Sequence, residues 1–222
     1  MEFNVEVPNN YEQKCLCVLV LDVSASMEGE PINQLNRGIQ AFYNDITSNS
    51  TTSNRLEVCL IEFSAEAKVL VEPSLSENFT MPTLSTISTT ALVDGVKLGI
   101  EKVMERKNWY KETKQKYYRP WVILITDGLP DKNQDIEGLA IQIKKDVENK
   151  SYFFFALGVE GADMNILKSI SSPSMPPEML EGLKFSDFFK WLSASMTNIT
   201  SSKDGDSVSM ASPASWMKGF KI

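Results

Sequence analysis

Continuous apolar runs alternate along this chain with stretches of helical spacing. Leu16, Val18, Leu19, Val20 and Leu21 fill a run over about 14–22 with no polar alternation. Such a run predicts a strand buried on both faces. From Ile32, the residues Leu35, Ile39, Phe42, Tyr43 and Ile46 follow at helical spacing, with Pro31 suited to the first helical position. Polar residues 47–54 predict a loop. Residues 55–63 predict a second strand, and 68–71 a hairpin-related strand ending at Pro73. Residues 74–90 are Ser-, Thr- and Pro-rich without period, so they predict a long loop of the functional kind, mobile at the rim of a site. A helix carrying Leu92, Val96, Ile100, Val103 and Met104 inward comes next, and the charged stretch 107–116 is expected in solvent.

The clearest strand is Trp121–Thr126, opened by Pro120 and followed by Asp127-Gly128. Then come a helix over 134–148, a strand over 152–159, a short helix over 164–170, a short strand over 180–184 and a helix over 186–200 with Ser186 as its N-cap. The segment FNVEV at 3–7 alternates and predicts a short edge strand. Strands alternating with amphipathic helices define an α/β fold: a doubly wound, Rossmann-like, mostly parallel sheet with one antiparallel edge strand and helices on both faces. One domain over 1–202 is expected, then a tail over 203–222 in which Trp216 and Phe220, four apart, are candidate anchors.

Composition narrows the chemistry. The 222 residues carry a net charge of −7, which offers no basic field for nucleic acid. No apolar run approaches the roughly 20 residues that span a bilayer, so no membrane association is expected. The N-terminus lacks the basic start and apolar core of a signal peptide. Cys15, Cys17 and Cys59 sit inside apolar strands, as buried reduced thiols of a cytoplasmic protein do. Histidine is absent, which removes Ser-His-Asp and Cys-His catalysis and imidazole-bound metal. No phosphate-binding glycine motif occurs.

Asp22, Ser24 and Ser26 stand at alternate positions just past the first strand, where open parallel sheets bind their ligands. All three are hard oxygen donors of the kind Mg²⁺ prefers. A polar loop capping a helix is the plainer use of the same residues. Two further loops fall at equivalent ends, Thr89-Thr90-Ala91-Leu92 and Thr126-Asp127-Gly128.

Together these three loops resemble the metal-ion-dependent adhesion site of von Willebrand factor A domains. There the first motif supplies two serines, the second loop a threonine and the third an aspartate. Within that superfamily the stretches LDVSASMEGEPI (21–32), RPWVILITDGLPD (119–131) and FFKWLSASM (188–196) resemble the bacterial TerY-like tellurium-resistance proteins. The likeness spans roughly residues 14–200. It departs where the family tends to have glycines before the threonine and this chain has Ser88 and Thr89.

The resemblance implies a divalent ion, Mg²⁺ with Mn²⁺ or Ca²⁺ as alternatives, held by Asp22, Ser24, Ser26, Thr90 and Asp127. It also implies an open position that takes an Asp or Glu from a partner protein. A protein kinase and a metal-dependent serine/threonine phosphatase are the implied companions, in a stress-response or defence setting. An Mg²⁺-dependent hydrolase or phosphatase is the rival, as is a scaffold with a degenerate metal site. Against hydrolysis, Asp22 is followed by Val-Ser, with no second aspartate two residues on.

Overall fold

The computed structural model describes residues 10–87, 89–127, 130–131, 133–202, 210–213 and 216–217. Strand β1 (Cys15–Asp22) explains why its sequence carries no alternation: all eight residues are buried. Cys15, Cys17, Leu19 and Leu21 face one apolar core, and Leu16, Val18 and Val20 face a second. Each face of the strand is a core face, so polar side chains have nowhere to point.

The sheet runs in the order β3-β2-β1-β4-β5-β6. Strands β2 (Leu56–Phe63), β4 (Trp121–Thr126), β5 (Phe153–Gly158) and β6 (Glu178–Met179) run parallel to β1, each paired in parallel with its neighbour, and β3 (Ala67–Leu75) is antiparallel to β2. The chain builds outward from β1 through β2 to β3, then returns to place β4 on the other side of β1. The order therefore reverses between β1 and β4, the position at which doubly wound sheets open a crevice.

Helices α1 (Glu30–Ser48) and α6 (Phe185–Ser201) fill the first core. Helices α3 (Leu92–Glu112), α4 (Ile136–Glu148) and α5 (Met164–Ile170) fill the second. Gly38 lets α1 approach α6 closely, because a Cβ there would lie 2.6 Å from the Phe189 ring.

Several elements differ from the sequence expectation. The polar stretch after α1 holds a short helix, α2 (Ser50–Arg55), whose N-cap Asn49 accepts from the Thr52 amide at 2.9 Å. Thr52 is fully buried against the hydroxyls of Thr197 and Thr200, so polar contacts rather than an apolar stripe hold this helix.

Strand β3 runs past Pro73 to Leu75. It is the edge strand, and its register shifts between the pairs Val58–Ser74 and Leu60–Val71, which accommodates the missing N–H. Helix α3 continues to Glu112, and within the charged stretch Tyr110 is fully buried. The last strand is Glu178–Met179 rather than 180–184, and helix α6 starts at Phe185 with Lys184, not Ser186, at its N-cap. The anticipated strand at 3–7, and Phe220, lie outside the described residues.

Trp216 is 1% exposed and packs edge-on to Phe155 and Phe188, with Trp191 beside it. Trp216 thus completes the core under α6. No described helix is long and apolar enough to cross a membrane.

Candidate functional site

Leu21 and Ile125 pair across the β1–β4 seam, so the loops leaving both strands emerge side by side. Asp22 closes β1 with no exposed surface. Its Oδ1 accepts the Ser24 amide at 2.8 Å, and its Oδ2 accepts the Thr126 hydroxyl at 2.5 Å. Ser24 is extended, and a single 3₁₀ turn, Ala25–Met27, follows it. This bend brings the Ser24 and Ser26 hydroxyls to 3.0 Å of each other. The Ser26 hydroxyl in turn donates to Asp127 Oδ1 at 2.8 Å. One continuous polar chain therefore links the ends of β1 and β4. Ser24 and Asp127 are buried within it, and Ser26 is exposed at its outer end.

Thr90 lies on the long loop before α3. That loop is pinned at both flanks: the Ile87 amide donates to Val23 O at 2.7 Å, and the Ala91 amide to Ser64 O at 2.5 Å. Thr90's own amide donates to Asp131 Oδ2 at 3.1 Å, and its carbonyl accepts from Gln134 Nε2 at 2.6 Å. Gln134 Oε1 also accepts from the Val93 amide at 2.7 Å. The backbone of Thr90 is held from two sides, while its hydroxyl has no hydrogen-bond partner among the described residues.

Four of the five anticipated residues, Asp22, Ser24, Ser26 and Asp127, thus join one network, and the fifth, Thr90, is tied through its backbone to Asp131 and Gln134 and not to that network. Thr126, Asp131 and Gln134 were not anticipated. A hydroxyl ending an otherwise apolar strand was the available sign of Thr126. Asp131 and Gln134 act on a loop some 41 to 44 residues away, which no local pattern reveals.

The electrostatics suit a cation. Burial pushes the Asp22 carboxyl above its ordinary pKa, the bonds from Ser24 and Thr126 oppose that, and the nearby Asp127 adds to it. Burial also raises Asp127, against the bond from Ser26. Two buried carboxylates thus share one crevice, and among the described residues no lysine or arginine contributes to either shift.

The donors are hydroxyl and carboxylate oxygens throughout, and among the described residues no cluster of three or more His, Cys, Asp or Glu offers a competing metal site. The 3.0 Å between the serine hydroxyls also matches the edge of an octahedron of oxygens at ~2.1 Å from its centre, the geometry Mg²⁺ demands. The residues fit a small hard divalent ion.

The sequence profile of the von Willebrand factor type A domain matches residues 17–189. No curated protein matches the chain. Among solved structures, the pilus adhesin SpaC from Lactobacillus rhamnosus GG is similar, with a TM-score of 0.66 at 15% identity over 87% of this chain and 31% of that one. The proximal thread matrix protein 1 of the mussel byssus, with a zinc-occupied MIDAS motif, gives 0.57 at 17% over 84% and 48%. The ArnB paralog VWA2 from Sulfolobus acidocaldarius gives 0.55 at 18% over 83% and 45%. The chain thus spans a third to a half of these proteins, and at such identities the likeness is one of fold.

Proposed function

Because this chain belongs to the von Willebrand factor type A domain family, we propose that it is a metal-dependent protein-binding module and not an enzyme. The observation behind it is the bonded series from Thr126 through Asp22, Ser24 and Ser26 to Asp127 at the sheet's switch point. Ser24, Ser26 and Thr90 hold the ion through hydroxyls, with Asp22 and Asp127 beside them. The zinc-occupied motif of the byssus protein supports a divalent ion here, and the all-oxygen donor set favours Mg²⁺, with Mn²⁺ and Ca²⁺ as alternatives.

Neutral hydroxyls leave a bound ion's charge under-compensated, so the ion supplies a positive centre for an anionic oxygen from outside. Thr126 and the Ser24 amide already engage both oxygens of Asp22, so that carboxylate orients the serines instead of closing the open side. Ser26, at the exposed end, marks where a partner's Asp or Glu would enter. Asp127, on the hydroxyl of Ser26, disfavours a second carboxylate unless the ion is present, which makes binding conditional on metal.

The likeness of residues 21–32, 119–131 and 188–196 to TerY-like proteins supports a cytoplasmic setting in bacterial tellurite resistance, stress response or defence, with a protein kinase and a metal-dependent serine/threonine phosphatase as companions. The test is complex formation with such a kinase or phosphatase in Mg²⁺ and in EDTA. The complex should form in Mg²⁺, vanish in EDTA, and weaken in Ser26→Ala and Thr90→Ala. A complex indifferent to EDTA would overturn the proposal.

A further inference from the structure

At the pole opposite the candidate metal site, the N-terminal ends of β4 and β5 border a second cavity, of about 300 Å³. Its walls are largely apolar, with the partly exposed Phe153 and Met175 prominent. Arg119, Lys150 and Glu148 supply the charges. That volume and that mix of apolar wall and few charges are those of small-molecule sites.

Arg119 is the unusual member. The chain has four arginines. Arg37 pairs with Glu30, Arg55 with Glu12 and Arg106 with Glu57. Arg119 has no carboxylate partner among the described residues. Its Nη2 donates to two backbone carbonyls, Val147 O at 2.8 Å and Tyr152 O at 2.6 Å, and its plane lies over the Phe153 ring at 4.0 Å. These contacts fix the guanidinium in place and leave its charge uncompensated. Its Nε is buried without an acceptor, and burial lowers its pKa, whereas glutamates raise those of Arg55 and Arg106. Burial lowers the pKa of Lys107 nearby, and the positive charges of Lys111 and Arg119 add to that against Asp146.

A preorganised cation over an aromatic wall in a chain of net charge −7 is a local inversion of sign. We propose that this cavity binds a small organic monocarboxylate, its apolar body against Phe153 and Met175 and its carboxylate at Arg119 and Lys150. Glu148 sets the charge: two cations and one carboxylate leave a single positive charge, which a monoanion neutralises and a phosphate dianion exceeds. The hydroxyls of Ser172 and Ser174, 2.8 Å apart at the rim, are further donors. The site shares no residue with the metal centre, so either proposal can fail without the other.

The probe is 2-naphthoate, titrated into the full chain by calorimetry, with 2-naphthamide as its uncharged counterpart and inorganic phosphate as competitor. Naphthoate should bind one per chain with Kd at or below about 1 mM, the norm for a body of this size. The amide should bind at least tenfold more weakly. Arg119→Met should weaken naphthoate at least tenfold, Lys150→Gln several-fold, and Glu148→Gln should tighten it. Lys150 and Glu148 are exposed, so these two variants carry the test if Arg119→Met, which also loses two backbone bonds, fails to fold. Absence of saturable naphthoate binding, equal binding of the amide, or affinity unchanged in Lys150→Gln and Glu148→Gln would overturn the proposal. Displacement of naphthoate by equimolar phosphate would overturn the monoanion assignment.

Discussion

Thr126 Oγ1 donates to Asp22 Oδ2 at 2.5 Å across the β1–β4 seam, joining the two strand ends at which the sheet order reverses. With the Ser24 amide on Oδ1, this bond fixes the rotation of a carboxylate that has no access to water. Thr126→Val keeps the shape and removes the donor. We expect Mn²⁺ affinity to fall by about 10- to 100-fold, as it does when partners that orient metal ligands are lost. Stability without metal should drop by roughly 1–3 kcal/mol, the cost of a buried acceptor left unmet. Calorimetry and urea melts measure the two effects, and unchanged Mn²⁺ affinity would refute the orienting role.

The long loop before α3 is anchored more firmly than its lack of period implies. Asn36 on α1 donates to Leu84 O at 3.0 Å and accepts from the Leu84 amide at 2.8 Å, as a strand partner would, and Leu84 is buried. Tyr43 adds a bond to Phe79 O at 2.8 Å. Asn36→Ala should cost about 1–2 kcal/mol. It should also speed hydrogen exchange at the Leu84 amide by an order of magnitude or more, because about 1.4 kcal/mol is a factor of ten. Equal exchange in variant and parent would show that the loop is held elsewhere.

Glu57 is 2% exposed and sits between Arg106, whose Nε and Nη2 donate at 2.8 and 2.7 Å, and the Tyr110 hydroxyl. The Arg106 guanidinium also lies 3.8 Å over the Trp109 ring. Arg106→Met strands a buried carboxylate and should destabilise by about 3–5 kcal/mol. Adding Glu57→Gln should recover part of that loss, with the coupling read from the double-mutant cycle. Strictly additive costs would mean that the pair does not act as a unit.

Burial pushes the thiols of Cys15 and Cys59 up to about 12 and Cys17 well above its ordinary value of 9.0. Iodoacetamide at pH 8 should therefore label none of the three in the native protein and all three in urea. The linkage has a definite sign. Unfolded thiols ionise near 9.0 while native ones stay protonated, so the stability they confer is whole below pH 9 and is lost as pH rises from 9 toward 12. The loss between pH 8 and pH 10 is about 1.4 kcal/mol per thiol. Urea melts across that range, against a Cys-to-Ala triple variant with a shallower slope, measure it.

Strands buried on both faces announced themselves in the sequence, because a residue such as Val18 or Leu19 meets a core whichever way it points. Asp22, Ser24, Ser26 and Asp127 were legible for a related reason: polar residues that end such strands can face only the crevice. Less legible were features held by distant polar contacts. Helix α2 depends on Thr52 reaching Thr197 and Thr200, and the placement of Thr90 depends on Asp131 and Gln134. The charged end of α3 concealed Tyr110, whose hydroxyl is met by Glu57 on β2, 53 residues away in the chain. Trp216 gave no local sign of its place, since the aromatic cluster that receives it, Phe155, Phe188 and Trp191, comes from β5 and α6.

Divalent-ion binding by the parent chain, Asp22→Asn and Ser26→Ala, measured by calorimetry with Mg²⁺ and with Mn²⁺, tests the metal centre most directly. The parent should bind one ion and gain thermal stability with its concentration, as any ligand of the native state confers. Asp22→Asn keeps the side chain's shape and removes a charge that burial disfavours. It should melt no lower than the metal-free parent, yet gain nothing from either ion, and Ser26→Ala should bind at least tenfold more weakly. Binding of Mg²⁺ and Mn²⁺ with the parent's affinity in a folded Asp22→Asn variant would contradict the account.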